Sequence, residues 1–69
     1  MIPRQSVIAA NINYHRTLCG LKQEDIVKAL GISRPTYNRK CSKEEFTVAD
    51  LRIIARVLHT QINELLKGV

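Results

Sequence analysis

The chain has few aromatic residues and few cysteines. Of its 69 residues only Phe46, Tyr14 and Tyr37 are aromatic, and tryptophan is absent. So small a set argues against a surface that binds single-stranded nucleic acid by stacking bases on aromatic rings. The two cysteines, Cys19 and Cys41, are too few for a disulfide-stapled secreted domain and lack the spacing of metal ligands. We expect both thiols to be buried and reduced rather than joined in a disulfide.

Membrane, secretion and catalytic signals are also lacking. No apolar run approaches the roughly 20 residues of a membrane span, and residues 1–4 lack the apolar core of a signal peptide. The sequence contains no phosphate-binding loop, no set of metal ligands and no nucleophile spaced for a histidine and a carboxylate. We therefore expect a cytoplasmic, nucleoid-associated protein that is not an enzyme and needs no cofactor or metal.

Basic residues outnumber acidic ones and are unevenly placed. Eleven Lys and Arg against six Asp and Glu leave a net charge of +5. No acid interrupts the cluster formed by Arg34, Arg39, Lys40 and Lys43. Such a cluster is either a solvated face or a surface that binds phosphate groups. Its position within a helical motif, described next, favours phosphate binding.

Residues 21–41 predict two short helices joined by a tight turn. Residues 22–30 have the apolar spacing of a helix with one buried side. Gly31 follows at once, where a left-handed helix stop favours a residue without Cβ. Ser33 can then cap a second helix, and Pro35 lies in its first turn, where its missing N–H is not needed. This is the pattern of a helix-turn-helix.

Three further helices are predicted around this pair. The first covers residues 3–18, and its buried side is expected to carry Ile8, Ile12 and the pair at 18–19. The second helix of the pair is then the third helix of the chain. It covers residues 34–41, and its Tyr37 and Cys41 are expected to face the core.

The fourth and fifth helices follow a clear start signal. Thr47 is expected to cap the fourth helix, with Asp50 completing a capping box, and the helix is expected to end around His59. A last short helix then begins at Thr60 or Gln61. Five helices without a strand signal predict an all-α bundle with one core, and residues 1–69 are predicted to form a single domain.

Several segments together resemble a known family. Residues 20–26 (GLKQEDI) and 29–34 (ALGISR) resemble the helix-turn-helix of the lambda-repressor-like proteins, the Cro and XRE-type regulators of phages and plasmids. Residues 51–58 (LRIIARVL) and 62–66 (INELL) are similar to the fourth and fifth helices of that family, and Arg16 matches its first-helix arginine. The resemblance implies a compact five-helix lambda-repressor-like bundle in which the second and third helices form the helix-turn-helix.

The resemblance also implies a set of DNA contacts. The third helix would lie in the major groove, and the residues expected to face the bases are Ser33, Arg34, Pro35, Asn38 and Arg39. Either arginine could bind guanine through a bidentate fork, and the asparagine could pair with adenine. The residues expected to contact phosphates are Lys22, Gln23, Lys40 and Lys43.

The function that the resemblance implies is sequence-specific binding of double-stranded DNA by a small transcriptional regulator, a repressor, that reads the major groove with residues 33–41. The alternative is a protein-interaction module of antitoxin or anti-regulator type that uses the same bundle. A weak homodimer, formed in solution or only on DNA, is expected to use the surface near Ile62, Asn63, Glu64 and Val69. No small-molecule ligand or membrane partner is indicated.

Three residues depart from the family pattern. Cys41 stands where the family often has a glutamate that pairs with the first-helix arginine, so we expect Arg16 to bind Glu44 or Glu45, or to stay free for phosphate. Lys40 replaces an apolar residue, which predicts a third helix that is rotated or ends early. His59 replaces a glycine, and a left-handed histidine at this position is possible but strained.

Overall fold

Five helices follow one another along residues 7–68, the part of the chain that the computed structural model describes. Their bounds are α1 Val7–Cys19, α2 Gln23–Leu30, α3 Arg34–Lys43, α4 Val48–Val57 and α5 Ile62–Leu65. Residues 7–68 contain no strand, which confirms the predicted all-α class. None of these helices is long and apolar enough to cross a bilayer. The predicted start of the first helix at Pro3 lies outside the described residues.

Every helix contributes one completely buried side chain to a single core. These side chains, each with 0% exposure, are Ile12, Ile26, Tyr37, Ile54 and Leu65. Around this centre α2 packs against α3 and α4, while α5 packs against α4 and α1. On its other side α1 contacts α3. Because the core draws on all five helices, the orientation of α3 depends on packing throughout the bundle.

Helix α1 is joined to α5 by polar bonds as well as by packing. The side-chain amide of Asn11 donates hydrogen bonds to the carbonyl oxygens of Leu65, at 2.9 Å, and Lys67, at 2.8 Å. These carbonyls lie at the end of α5, where helical partners are missing. One side chain near the middle of α1 therefore supplies hydrogen bonds to two carbonyl groups at the end of α5.

The predicted buried side of α1 is wrong in its last turn. Ile8 and Ile12 are buried as expected, but Leu18 is 66% exposed and Cys19 is also exposed. Leu18 lies six residues after Ile12, about 120° away around the helix, so it points off the core. Cys19 does lie on the core stripe, but it is beyond the last packed layer, and its thiol donates to the Leu58 carbonyl at 3.2 Å.

Four helices end in the same hydrogen-bonded turn. After α1 and α2 the left-handed residue is Gly20 or Gly31, as the sequence predicts. After α3 and α4 the same conformation is adopted by Glu44, with φ 53°, and His59, with φ 55°. In each turn the next residue donates its N–H to a carbonyl five positions back, for example Thr60 to Ala55 at 2.9 Å. His59 adopts the left-handed conformation that the sequence left possible, whereas a left-handed glutamate was not predicted.

Replacing His59 with glycine should stabilise the protein. In the left-handed conformation a residue with a Cβ atom is about 1–2 kcal/mol less favourable than glycine. This cost is larger than the free-energy cost of the extra chain entropy that glycine loses on folding. We expect the free energy of unfolding of the His59→Gly variant to rise by about 0.5 kcal/mol in urea titrations.

The matched control is His15→Gly, the same replacement inside α1. Because a helix interior disfavours glycine, that variant should lose about 1 kcal/mol. A loss of stability in both variants would contradict strain at His59.

Candidate functional site

The start of α3 is fixed by the turn that precedes it. Gly31, with φ 67°, closes α2, and its N–H donates to the carbonyls of Lys28 and Val27, both at 3.1 Å. Ser33 caps α3 by accepting the N–H of Thr36 at 3.3 Å, as predicted, and Pro35 lies in the first turn. The hydroxyl groups of Ser33 and Thr36 are also 2.8 Å apart. The predicted base-facing hydroxyl of Ser33 is therefore already engaged in capping.

The rotation of α3 is set by Tyr37. Its ring is completely buried and meets the edge of Phe46 at a centroid distance of 6.2 Å. Its hydroxyl shares a hydrogen bond with the thiol of Cys41, one turn further along the helix. Burial raises the pKa of both groups above their ordinary values, which keeps the thiol protonated. Both residues face inward, as the sequence predicts.

With Tyr37 inward, a row of side chains points to solvent. We call this row the α3 outer strip; its members are Pro35, Asn38, Arg39 and Ser42, all exposed. Their spacing of three, four and seven residues places them on one face of the helix, opposite the core. The predicted base-facing Arg34 is also exposed, at the first position of α3.

The basic side chains on this strip and next to it form weak ion pairs or none. The Arg39 guanidinium lies 3.9 Å from the Glu45 carboxylate, and the two side chains are 62% and 54% exposed. An exposed pair at that distance contributes little to stability and is easily exchanged for another anion. Arg34 and Lys43 form no ion pair with any residue in the described range 7–68, and both are exposed.

Lys40 differs from the other basic residues of α3. Its ammonium group binds the Asp50 carboxylate at 2.9 Å and the Glu45 carbonyl at 3.3 Å. The two charged side chains are only 18% and 19% exposed. Lys40 thus joins α3 to the start of α4, and a phosphate contact from this residue would first have to break the ion pair.

The same interactions correct the expectation drawn from Lys40. The sequence predicted a third helix that is rotated or ends early, yet α3 continues to Lys43, two residues past the predicted end. A lysine is accommodated at this partly buried position because its charge has a partner.

Asp50 serves two elements at once. Its carboxylate accepts the N–H of Thr47 at 3.1 Å, while its own N–H donates to the Thr47 hydroxyl at 3.1 Å, so the predicted capping box is confirmed. Desolvation raises the pKa of Asp50, but hydrogen bonds from Lys40 and Thr47 outweigh that effect and hold the pKa below its usual value. The sequence indicated the cap but not the ion pair.

The start of α2 adds a second basic position. Lys22 precedes the helix and is exposed, and the side chain of Gln23 is half-buried. A lysine cannot accept a hydrogen bond, so its side chain leaves the first N–H groups of α2 uncapped. Asp25 instead accepts the N–H of Lys22 at 2.9 Å. Lys22 forms no ion pair within residues 7–68, so its ammonium group is available to an outside anion.

Arg16 binds neither of the glutamates expected as its partners. Its guanidinium donates to the Leu21 carbonyl at 2.9 Å, between α1 and α2. Its Nε–H is buried and has no hydrogen-bond partner among the described residues. The geometry corrects the expectation because a backbone carbonyl rather than a carboxylate accepts from the guanidinium. The charge of Arg16 acts to lower the pKa of Tyr37, against the larger effect of burial.

The candidate site is polar and basic. It consists of the α3 outer strip together with Arg34, Lys43 and, at the start of α2, Lys22. Within residues 7–68 no three His, Cys, Asp or Glu side chains are grouped so that they could hold a metal ion. Ser42 was not among the predicted site residues; its position seven residues after Pro35 is the signal that places it on the strip. Its hydroxyl also donates to the Arg39 carbonyl at 3.3 Å.

Comparison with known proteins gave no match to a family model, to a curated protein or to a solved structure.

Replacing Lys40 with methionine should remove a pH-dependent part of the stability. The folded-state pKa of Asp50 lies below its unfolded value, so the carboxylate stabilises the fold above about pH 3.9, and this contribution is lost as the pH falls through the folded pKa. We expect Lys40→Met to lose about 1–2 kcal/mol at pH 7 in urea titrations, with the deficit shrinking towards pH 2.

Lys43→Met is the matched control, because it removes the same charge from an exposed position of α3. It should change stability by less than about 0.5 kcal/mol. A deficit in Lys40→Met that stays constant from pH 7 to pH 2 would contradict the role of the Asp50 carboxylate.

Proposed function

We propose that this protein is a sequence-specific regulator that binds double-stranded DNA through a lambda-repressor-like helix-turn-helix formed by α2 and α3. It acts by occupying an operator, as a repressor, and performs no chemistry. The observation that carries the proposal is the α3 outer strip. An exposed row of polar side chains on a helix that a tight turn and a buried tyrosine hold in place is what reading a groove requires.

The strip suits the major groove in its size and its chemistry. An α-helix fits the width of that groove, and side chains on one face can reach neighbouring base pairs. Arg39 and Arg34 can each donate two hydrogen bonds to guanine, and Asn38 can both donate to and accept from adenine. Pro35 has no donor, so its contact would be apolar, with a thymine methyl group.

Phosphate contacts would come from residues that flank the strip. Lys22 at the start of α2 and Lys43 at the end of α3 are exposed and unpaired within the described range. Gln23 lies in the first turn of α2, where N–H groups and the helix dipole favour an anion. The net charge of +5 would draw the chain towards DNA from a distance. Lys40 is left out of this set because it is held by Asp50.

Two copies would bind together if the operator is symmetric. Helix-turn-helix dimers read half-sites one helical turn, or about 34 Å, apart. A selection of bound duplexes from a random pool tests the proposal directly. We expect enrichment of a short motif with two related halves, and recovery of unrelated sequences would contradict sequence-specific binding.

Substitutions on α3 should separate base reading from charge. Once a duplex is selected, the Arg34→Ala and Arg39→Ala variants should each bind it at least about tenfold more weakly, and base preference at the contacted positions should relax. Fluorescence anisotropy against selected and scrambled duplexes measures both effects. Circular dichroism should be unchanged, because both side chains are exposed.

The matched control removes two charges elsewhere. Arg52 and Arg56 are exposed on α4, so the double alanine variant has the same net charge as Arg34→Ala/Arg39→Ala. It should keep its base preference and lose affinity only modestly. Equal loss of preference in both double variants would contradict the assignment of α3 to the bases.

Salt dependence separates this proposal from a protein-interaction module of antitoxin or anti-regulator type. Binding to duplex DNA should weaken with rising salt, with a log–log slope of about −0.9 for each phosphate neutralised. A protein-interaction module of the same net charge would bind selected and scrambled duplexes alike, and only at low salt.

A further inference from the structure

A second basic surface lies between α4 and α5. Arg52 and Arg56 line an open cleft of about 580 Å³ there, together with residues that follow α4, among them Thr60, Gln61 and Asn63. This volume lies within the range of about 300–1,000 Å³ that is typical of small-molecule sites. None of these residues belongs to the α3 outer strip.

The two arginines of this cleft have no counter-charge. Both are exposed, and neither forms an ion pair within residues 7–68. They lie four residues apart on α4, about 6 Å along the helix, where like charges repel one another. The last turn of α4 contains Arg56, where positive charge suits the helix dipole, but Arg52 lies one turn earlier. An anion bound between the two guanidinium groups would remove the repulsion.

The nearest carboxylates along the chain are bound to other cations. Asp50, at the start of α4, holds Lys40 at 2.9 Å. Glu64, in α5, lies 3.5 Å from Lys67. Among the described residues no acid lines the cleft, so its two arginines leave a formal charge of +2.

Uncommitted hydrogen-bonding groups line the same cleft. Gln61 stands at the cap position of α5, but its side chain makes no capping bond. The side chains of Thr60 and Asn63 likewise form no hydrogen bond with any residue in the range 7–68. One hydroxyl group and two side-chain amides can therefore donate to a ligand that the arginines attract.

The donor set favours a phosphate group over a carboxylate. Each guanidinium is a planar fork that binds two oxygens of one oxyanion. A carboxylate has two oxygens and fills one fork, whereas a phosphate monoester has three terminal oxygens and can accept from both. The apolar residues Ala55 and Ile62 also line the cleft, which suits an organic group attached to the phosphate.

The cleft lies on the side of α4 that faces away from α3. Asp50 marks the side that meets α3, because it binds Lys40. Arg52 and Arg56 lie about 160° and 120° around the helix from Asp50. A duplex seated on the α3 outer strip would lie on the other side of α4, so the ligand of the cleft is a free molecule. The choice of a free molecule over DNA rests on the proposed function, whereas the site itself does not.

A second copy of this chain does not suit the cleft. Ile62 and Asn63 were expected at a dimer contact with Glu64 and Val69, of which Val69 lies outside the described residues. Both Ile62 and Asn63 line the cleft beside the arginines. Two copies that met there would bring two pairs of arginines together, and like charges across an interface weaken association.

We propose that the cleft between α4 and α5 binds a small organic phosphate, whose phosphate group is held by Arg52 and Arg56 and whose organic part lies against Ala55 and Ile62. The hydroxyl and amide groups that line the cleft add hydrogen bonds to the phosphate oxygens. This site is separate from DNA binding, because no base or phosphate contact of the proposed function uses these residues.

Titration of the full chain with phenyl phosphate, followed by NMR, tests the site. At about pH 7 a phosphate monoester is mostly doubly charged. We expect saturating shifts of the Gln61 and Asn63 amide signals, with a dissociation constant of about 1 mM or below. Arg52→Ala and Arg56→Ala should each weaken binding at least about tenfold, because a charge-assisted fork is lost.

The matched control is Arg34→Ala/Arg39→Ala, which removes two exposed arginines from α3 and leaves the cleft intact. It should bind phenyl phosphate like the unaltered protein. Benzoate, which carries a carboxylate on the same ring, should bind the unaltered protein at least about tenfold more weakly. Circular dichroism verifies that each variant is folded.

Three results would overturn the proposal: shifts that rise without saturation, equal weakening in the α3 double variant, or equal affinity for benzoate. A DNA duplex added at physiological salt should leave phenyl phosphate bound, and its displacement would assign the cleft to DNA instead. The titrations themselves contain no DNA. Failure of the DNA proposal would therefore leave them unchanged, and failure of the cleft would leave the selection of duplexes unchanged.

Discussion

The burial of Tyr37 is the constraint on which the outward face of α3 depends. The ring is the one aromatic group without exposed surface in residues 7–68, and it contributes to the same core as the central side chains of the other four helices. Turning α3 by even one residue, about 100°, would bring the ring towards solvent and leave a large cavity. The identity of the α3 outer strip thus follows from the core rather than from the polar residues themselves.

The two ends of α3 are held by different chemistry. At the start, Gly31 and Ser33 use only neighbouring backbone groups, so the restraint is local. At the end, Lys40 reaches across to Asp50, whose carboxylate also caps α4. The hydrogen bonds of this little-exposed ion pair stabilise the protein. Removing one partner leaves the other charge partly buried and unpaired, which is destabilising. Acid or substitution at that end would therefore loosen α3 and α4 together, while leaving the turn before α3 intact.

Local signals predicted most of the fold, and contacts between distant residues account for what they missed. The caps at Ser33 and Thr47 depend on neighbours within three residues, which a sequence displays directly. The partners of Lys40 and Arg16 depend on where other helices lie, so the sequence suggested a phosphate for one and a glutamate for the other. Leu18 was wrongly predicted to be buried, because apolar spacing alone does not show where a helix extends beyond the core. The exposed arginine and asparagine positions of α3 were placed outward correctly, because Pro35 and Tyr37 fix the phase of the helix.

The two hydrogen bonds of Asn11 have a consequence for how the chain comes to fold during synthesis. Helix α5 is a single turn of four residues, too short to persist alone, and Asn11 binds carbonyl groups that lie 54 and 56 residues further along. Helix α1 is made first but cannot satisfy this side chain until α5 has been translated. The bundle should therefore acquire its native packing late, in one step, rather than helix by helix as the chain emerges from the ribosome.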